Sequence, residues 1–572
     1  MEIKDDPKVS FIVPVHNVPQ DVFKRCLSSL ADQDYGNMEV VIVPNGGDKD
    51  AEDFAIEFSK GKKNWLVVAT EEKGACFARN YGFQHSTGEI VSFFNSDYIA
   101  NPGMARMWVD ELQKHPDCGF VYGAYEYNTS ERDVYPSKPF DVFQLEVANY
   151  IDCGFPLWRK HVVEWDPEVK SLQDWDFWLR VVKSGVKGHF LGREISFIAE
   201  APRPQGLSND SADNWLDRVR FVKDKNGIPT RDICVMSIGA PNHGVEIAKM
   251  IGADYRDDTL HKPHAYKAAY IIGWYMHPNE KSNGHPKLID AFKHSNRIVH
   301  FVGADIYWLR EFPIRKVKEF AGALKLSTTA ILCENELAQQ ELASLGIDAE
   351  IVPIPPYSTF DILPLPKEFS VALYLTDKSN FDKYYLRHTL SIVKAMPDVK
   401  FYGYGDASLE FKEGKFSAKN FEHKGPLSRP EWEKFVGECS AYLRLVRHDT
   451  RPLATDEFIM AGRSVITNIP NPFVEYVDTS GTEPFDQWDT FAPGFSPLRW
   501  PATKKQIVRE IRRVKKLQAK PPAAADQRSE FDAARRVFSE STKKQLDRSA
   551  YIEKINRLAR LAKPSPVLEV VA

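Results

Sequence analysis

The chain lacks the features that mark most specialised protein classes. Its seven cysteines, Cys26, Cys76, Cys118, Cys153, Cys234, Cys333 and Cys439, are scattered and form no CxxC pair. An odd, dispersed set carries no zinc signature and fits a reducing compartment. No apolar run approaches the ~20 residues needed to cross a bilayer. The first residues, MEIKDDPK, are charged where a signal peptide has an apolar core. Net charge is small, with 75 Lys and Arg against 79 Asp and Glu, which argues against a wholesale nucleic-acid binder. There is no repeat of fixed short period. Neither "IGAPNHG" nor "YGYGDAS" supplies a GxGxxG fingerprint, so a dinucleotide oxidoreductase explains the sequence poorly. What remains is an ordinary globular composition, 43% hydrophobic and 27% charged over 572 residues. It suggests three or four domains, with the cytoplasm as the expected location.

Strand and helix signals alternate from the start. Ser10–Val15, Glu39–Val43, Trp65–Ala69 and Ile90–Phe94 are short apolar, β-branched or aromatic runs. Val22–Ala31 and Ala78–His85 carry apolar residues at helical spacing. This alternation predicts a mostly parallel sheet with helices on its faces, binding ligands at the carboxyl ends of its strands. The loops there read His16-Asn17, Pro44-Asn45-Gly46-Gly47-Asp48 and Asn95-Ser96-Asp97. A second alternating region starts near Asp232. A third starts at Phe369, after the proline-rich "IVPIPPYSTFDILPLP". The expected class is therefore α/β. The boundaries read as 1–228, 229–358 and 359–500, with a helical basic tail over 501–572.

An acid ending a buried strand, as Asp97 does, is in isolation most often a cap or an Asx-turn. Its neighbours change that reading. "SFIVPVHN", "VVIVPNGGDKD", "KGACFARNYGF", "EIVSFFNSDYIANPG" and "LQDWDFWLRVVKSG" stand in one order over residues 8–205. Together they resemble the nucleotide-sugar-binding domain of family 2 glycosyltransferases, the GT-A fold. The resemblance puts Asn95-Ser96-Asp97 in the place of the family's DxD motif. Asp97 is then the ligand of Mn²⁺ or Mg²⁺, and Asn95, an amide, replaces the usual first acid. It also implies that Val15, His16 and Asn17 line the base and ribose pocket. Asn45 would lie near the uracil edge and Arg79 near base or phosphates. The bland alternative for Arg79 is a surface helix arginine. "QDWDFWLR" resembles the family's EDxDLxxR segment, which makes Asp174 the base that deprotonates an acceptor hydroxyl and Asp176 the next candidate. Gln173 stands where the family has Glu. Trp175 and Trp178 read as core aromatics.

Residues 232–480 resemble, more weakly, a two-lobed GT-B glycosyltransferase with double Rossmann-like architecture. Asp449 and Glu457 match its EX7E pair, and "RPLAT" replaces the glycine-rich loop before the second acid. By that resemblance Glu457 meets donor ribose near a helix start, and Arg447 and Arg451 supply charge to a diphosphate. The alternative for this module is a folded scaffold or acceptor platform. His261, His264, His277 and His285 form no recognised metal spacing.

In the tail, Ile507, Ile511, Val514 and Leu517 make an apolar stripe on a basic segment, Lys504–Lys520. The stripe fits a helix packed on the preceding module. Contact with anionic membrane or nucleic acid is the alternative. The whole reading is a metal-dependent transferase moving a sugar from a nucleoside-diphosphate sugar, UDP-linked foremost, to a glycan or glycoconjugate acceptor. It has two alternatives: a catalytically decayed glycan-binding scaffold, and a glycosyltransferase acting on modified DNA.

Overall fold

The structure is a computed structural model. It describes residues 6–128, 134–135, 137–200, 215–237, 241–256, 266–273, 296–309, 314–375, 385–405, 417–446, 449–468, 475–476, 504–519 and 526–560. The chain divides into two compact units at Thr230 and Arg231. Arg447 and the four histidines 261, 264, 277 and 285 lie outside the described residues.

The first unit is built on nine strands: β1 (Val9–Val15), β2 (Met38–Pro44), β3 (Trp65–Val67), β4 (Ile90–Phe93), β5 (Tyr98–Ala100), β6 (Phe120–Asn128), β7 (Val134–Tyr135), β8 (Leu157–Trp158) and β9 (Gly188–Glu200). Their order is β3-β2-β1-β4-β8-β6-β9-β5, with β7 beside β6. β1 pairs in parallel with β2 and β4, and β2 with β3. β4 to β8 and β5 to β9 are antiparallel. The sheet is thus parallel on the side the alternation predicts and mixed beyond it. β1 is buried along its whole length, as a strand covered on both faces must be, and so reads as one apolar run.

One glycine sets how a helix meets this sheet. A Cβ at Gly82 would come within 2.5 Å of Ile12 and 2.8 Å of Val43. Its absence lets helix Ala75–Gln84 lie flush on β1 and β2. That close approach carries Arg79, one turn earlier, into the interior.

The second unit holds two six-stranded parallel sheets. The first runs Asp254–Tyr255, Ile233–Ser237, Ala268–Ile272, Asn296–Phe301, Ala330–Cys333, Glu350–Ile351. The second runs Phe421–His423, Lys400–Tyr404, Ser370–Tyr374, Ala441–Arg444, Ser464–Thr467, Glu475–Tyr476. In chain order the second is 3-2-1-4-5-6, the doubly wound arrangement, with its switch point between Ser370–Tyr374 and Ala441–Arg444. Helix Lys504–Ala519 buries Ile507, Ile511 and Val514 in the core of that sheet. Helix Asp526–Gln545 caps Leu453–Met460, with Ser539 Oγ donating to Met460 O at 2.6 Å. Helix Arg548–Arg560 packs on the other sheet, where Tyr551 and Tyr270 hydroxyls meet at 2.8 Å. The described C-terminal helices are therefore parts of the second unit.

Candidate active site

The carboxyl ends of β1, β2 and β4 converge, and their loops are tied by side chains. Val15 O accepts from both the amide N of Asn45, at 3.1 Å, and its side-chain Nδ2, at 3.0 Å. Asn45 Oδ1 accepts from Gly74 N at 3.1 Å, so its buried amide joins three loops. His16 Nδ1 lies 2.8 Å from Asn45 O, and half-buried His16 faces Asp48 at 4.0 Å. Asp48 caps helix Lys49–Ser59 through Ala51 N and also accepts from Asn17 N at 2.6 Å. Asn17 is exposed and left-handed, at φ 53°. Gly46, at φ 67°, would place a Cβ 3.2 Å from His16 and 3.1 Å from Lys73, so the turn needs glycine twice over. The result is a preformed rim of His16, Asn17 and Asp48 over a floor held by Asn45.

Arg79 is the centre of the site. It is 4% exposed, so the surface-arginine reading is excluded. Nη1 donates to Gln173 Oε1 and Nη2 to Asn95 Oδ1, each at 3.1 Å. Nη2 also lies 3.5 Å from Cys153 Sγ, and the guanidinium sits 4.2 Å over the Trp165 ring. The two amides that stand where the resemblance expects acids therefore hold one arginine. Asp97 itself is half-buried, and its backbone O accepts from Glu200 N at 3.0 Å, at the end of β9. Its charge bears on Cys153 and Tyr127.

Asp174 and Asp176 part company in helix Gln173–Lys183. Asp176 is buried and structural, pairing with Arg180 at 2.7 Å and Asn226 at 2.8 Å. Neither acid is the cap, which falls to Leu172 at φ 61°. Asp174 faces a second carboxylate that pattern reading missed. Ligand atoms of Asp152, Cys153 and Asp174 all lie within 4.8 Å of one another. Asp152 accepts from Tyr98 Oη and from Gly154 N, each at 2.7 Å. Both carboxyls keep some open surface yet are densely walled by protein, which marks the bottom of a cleft. Burial, then the charge of Asp174, pushes Asp152 up to about 7. Burial also raises Asp174, against the opposing pull of Arg79 and the Cys153 hydrogen bonds. The two carboxyls are close enough for the charge of Asp174 to bear on Asp152. Trp175 and Trp178 are buried, as core aromatics should be.

The order of these motifs and their meeting in one cleft invite comparison with known proteins. Residues 10–168 match the family model described as Glycosyl transferase family 2. Two curated relatives are glycosyltransferases. Glycosyltransferase GlyA of Streptococcus pneumoniae is 32% identical over 127 residues, covering 22% of this chain and 18% of that protein. The UDP-Glc:alpha-D-GlcNAc-diphosphoundecaprenol beta-1,3-glucosyltransferase WfgD of Escherichia coli is 29% identical over 122 residues, covering 21% of this chain and 47% of that protein. The chain thus spans less than half the length of either relative. Among solved structures, S. aureus TarS 1-349 in complex with UDP-GlcNAc aligns at 16% identity and TM-score 0.34, over 56% of this chain and 85% of that one.

The family 2 segment contains His16, Asn45, Arg79, Asp97 and Asp152, and Asp174 lies just past its end. The signal for Asp152 was slight: "YIDCGFP" has no periodicity, only an acid beside a cysteine in a loop. In the second unit, outside that segment, the expected residues are bound up internally. Asp449 accepts from Arg444 Nη2 at 2.6 Å, and Arg451 Nε donates to Asp456 at 2.9 Å. Buried Glu457 is held by Arg429, by Trp432 Nε1 at 2.6 Å and by Ser358 N at 3.3 Å. The helix starts at Leu453, after Pro452, rather than near Glu457, because proline ahead of the first turn sets the start. Glu457 consequently lies inside the helix, not at its N-terminus. No helix among the described residues is long and apolar enough to cross a membrane.

Proposed function

We propose that the first unit transfers a sugar from a nucleoside-diphosphate sugar to an acceptor hydroxyl by a single inverting displacement. The observation that carries this reading is the cleft in which Asp97 and the Asp152–Asp174 pair flank Cys153. His16 and Asn17 face the nucleoside from the rim, with Val15 and Asn45 shaping the floor beneath it. Asp174 takes the proton of the acceptor hydroxyl as the oxygen attacks the anomeric carbon, and the diphosphate leaves on the Asp97 side. The burial that raises Asp174 makes it a stronger base than an ordinary aspartate. Asp152, raised to about 7, spares Asp174 a second adjacent charge while it is protonated. Arg79 keeps Asp174 ionised and fixes Gln173 and Asn95 around it.

A divalent ion fits this donor set in one form only. Asn95 Oδ1 is taken by Arg79, so Asp97 is the single carboxylate of its triplet. Mg²⁺ and Mn²⁺ are commonly held by one or two carboxylates plus substrate phosphates, so Asp97 with a diphosphate suffices. Such an ion supplies charge neutralisation at the leaving phosphate.

We read the second unit as a scaffold or acceptor platform rather than a second transferase. The Arg444–Asp449, Arg451–Asp456 and Arg429–Glu457 pairs favour this, because each neutralises a charge a second donor site would use. The test is nucleotide-sugar hydrolysis and binding across a donor panel, with and without Mn²⁺. One binding equivalent, lost in Asp97→Ala, is expected. Two equivalents, or a site indifferent to Asp97, would refute the assignment.

A further inference from the structure

A cluster outside the cleft carries a second kind of chemistry. Glu111 lies in the last turn of helix Met104–Lys114, and His115, four residues on, is the residue that ends it. His189 enters from β9, where it pairs in register with Val121 of β6. His115 Nε2 and His189 Nε2 each lie 3.6 Å from Glu111 Oε2. The two imidazoles stack with centroids 3.6 Å apart and planes 17° from parallel. Ligand atoms of all three residues fall within 4.8 Å of one another. Lys114 takes the other oxygen, Glu111 Oε1, at 2.7 Å, which leaves Oε2 turned to the imidazoles.

We infer that Glu111, His115 and His189 form a site for a divalent transition metal of the zinc class. Zinc takes nitrogen and oxygen at about 2.0–2.2 Å, so tetrahedral ligand atoms stand about 3.3 Å apart. The observed 3.6 Å nitrogen–oxygen separations are close to this, and the stacked rings must splay for both Nε2 lone pairs to meet on one ion. Two imidazoles and one carboxylate suit Zn²⁺, Ni²⁺ or Cu²⁺, whereas Mg²⁺ and Ca²⁺ favour all-oxygen shells. All three residues keep between a fifth and two fifths of their side-chain surface open, so an ion reaches them from solvent. Three protein ligands leave a fourth position for water. The site is distinct from the cleft: His189 begins β9, and Glu200, which holds Asp97, ends it. A bound ion clips the end of the helix to the start of that strand and stabilises the folded first unit by mass action.

The experiment titrates chelator-treated full-length Asp97→Ala protein with Zn²⁺ alone by calorimetry. Removing Asp97 takes the cleft's own metal ligand out of the reading. One equivalent is expected, weakened at least tenfold by adding His115→Ala, His189→Ala or the isosteric Glu111→Gln. Co²⁺ substitution should give tetrahedral visible bands that those variants lose. Cys118 is the nearby thiol, its amide bonded to His115 O at 2.9 Å. Cys118→Ser should leave binding unchanged. Wild-type stoichiometry and affinity in all three ligand variants would overturn the site, and so would loss in Cys118→Ser alone. Neither outcome bears on the transferase reading, which is tested separately by donor binding.

Discussion

Arg79 Nη2 donates to Asn95 Oδ1 at 3.1 Å, and this bond joins the segment of the proposed metal ligand Asp97 to that of the proposed base Asp174. The same guanidinium holds Gln173, the residue before Asp174. Arg79→Met should therefore do two things at once. It leaves two amide oxygens without their donor, costing about 1–3 kcal/mol in urea unfolding. It also removes the cation that opposes the rise of Asp174. The acidic limb of the pH–rate profile should then move to higher pH. An unmoved limb would show that Arg79 does not face the base.

Asp174→Asn keeps the shape of the site and removes its proposed proton acceptor. Transfer should fall by roughly 10²–10⁴-fold with donor affinity retained. Turnover close to wild type would shift the base to Asp152, since Asp176 is committed to Arg180 and Asn226.

Asp152→Asn separates the pair. Without a second ionisable group beside it, Asp174 titrates alone. The step near pH 7 in the rate profile should vanish, leaving one acidic limb at lower pH. Retention of both steps would assign them elsewhere.

Glu39 ties the amino ends of the first sheet to the turn at Thr87 and Gly88, accepting from Ser10, Thr87 and Gly88 and pairing with Lys8. Burial alone would raise it. The Lys8 ammonium and the hydroxyl and amide donors outweigh burial and hold it at about 2, below its ordinary 4.5. Folding thus favours the ionised form. That stabilisation is complete above the ordinary value and is lost as pH falls from about 4.5 through about 2. A contribution on the order of 2–3 kcal/mol follows. Urea unfolding of wild type should weaken across that window, and Glu39→Gln should flatten the slope there.

Glu457→Ala probes the second unit. It takes a carboxylate from the Arg429 guanidinium and leaves the buried Trp432 N–H without its acceptor. Arg429 stays partly exposed and keeps Ser358, so that unit should lose about 1–3 kcal/mol. Turnover of the first unit should be unchanged. A selective loss of donor binding with intact stability would instead restore Glu457 to a ligand role.

Local pattern alone was enough to locate much of this molecule. Val9–Val15 and Met38–Pro44 are legible because a strand buried on both faces is mostly apolar, with the bonded pair Ser10 and Glu39 the exceptions. The stripe Ile507, Ile511, Val514 is legible because a helix repeats every 3.6 residues, and those three side chains are buried. Asp97 stood out because it ends such a strand. Partnership is not a local property. Nothing within a few residues of Arg79 says that it is buried, because its acceptors come from strand-end and helix-start segments far along the chain. Glu457 kept the spacing of a ligand pair, yet tertiary packing gave it Arg429, Trp432 and Ser358. Asp152 met Asp174, and His189 met Glu111 and His115, only when the sheet brought distant strands and helices together. A desolvated charge must find a partner within a few ångströms, and which group lies there is set by the path of the whole chain.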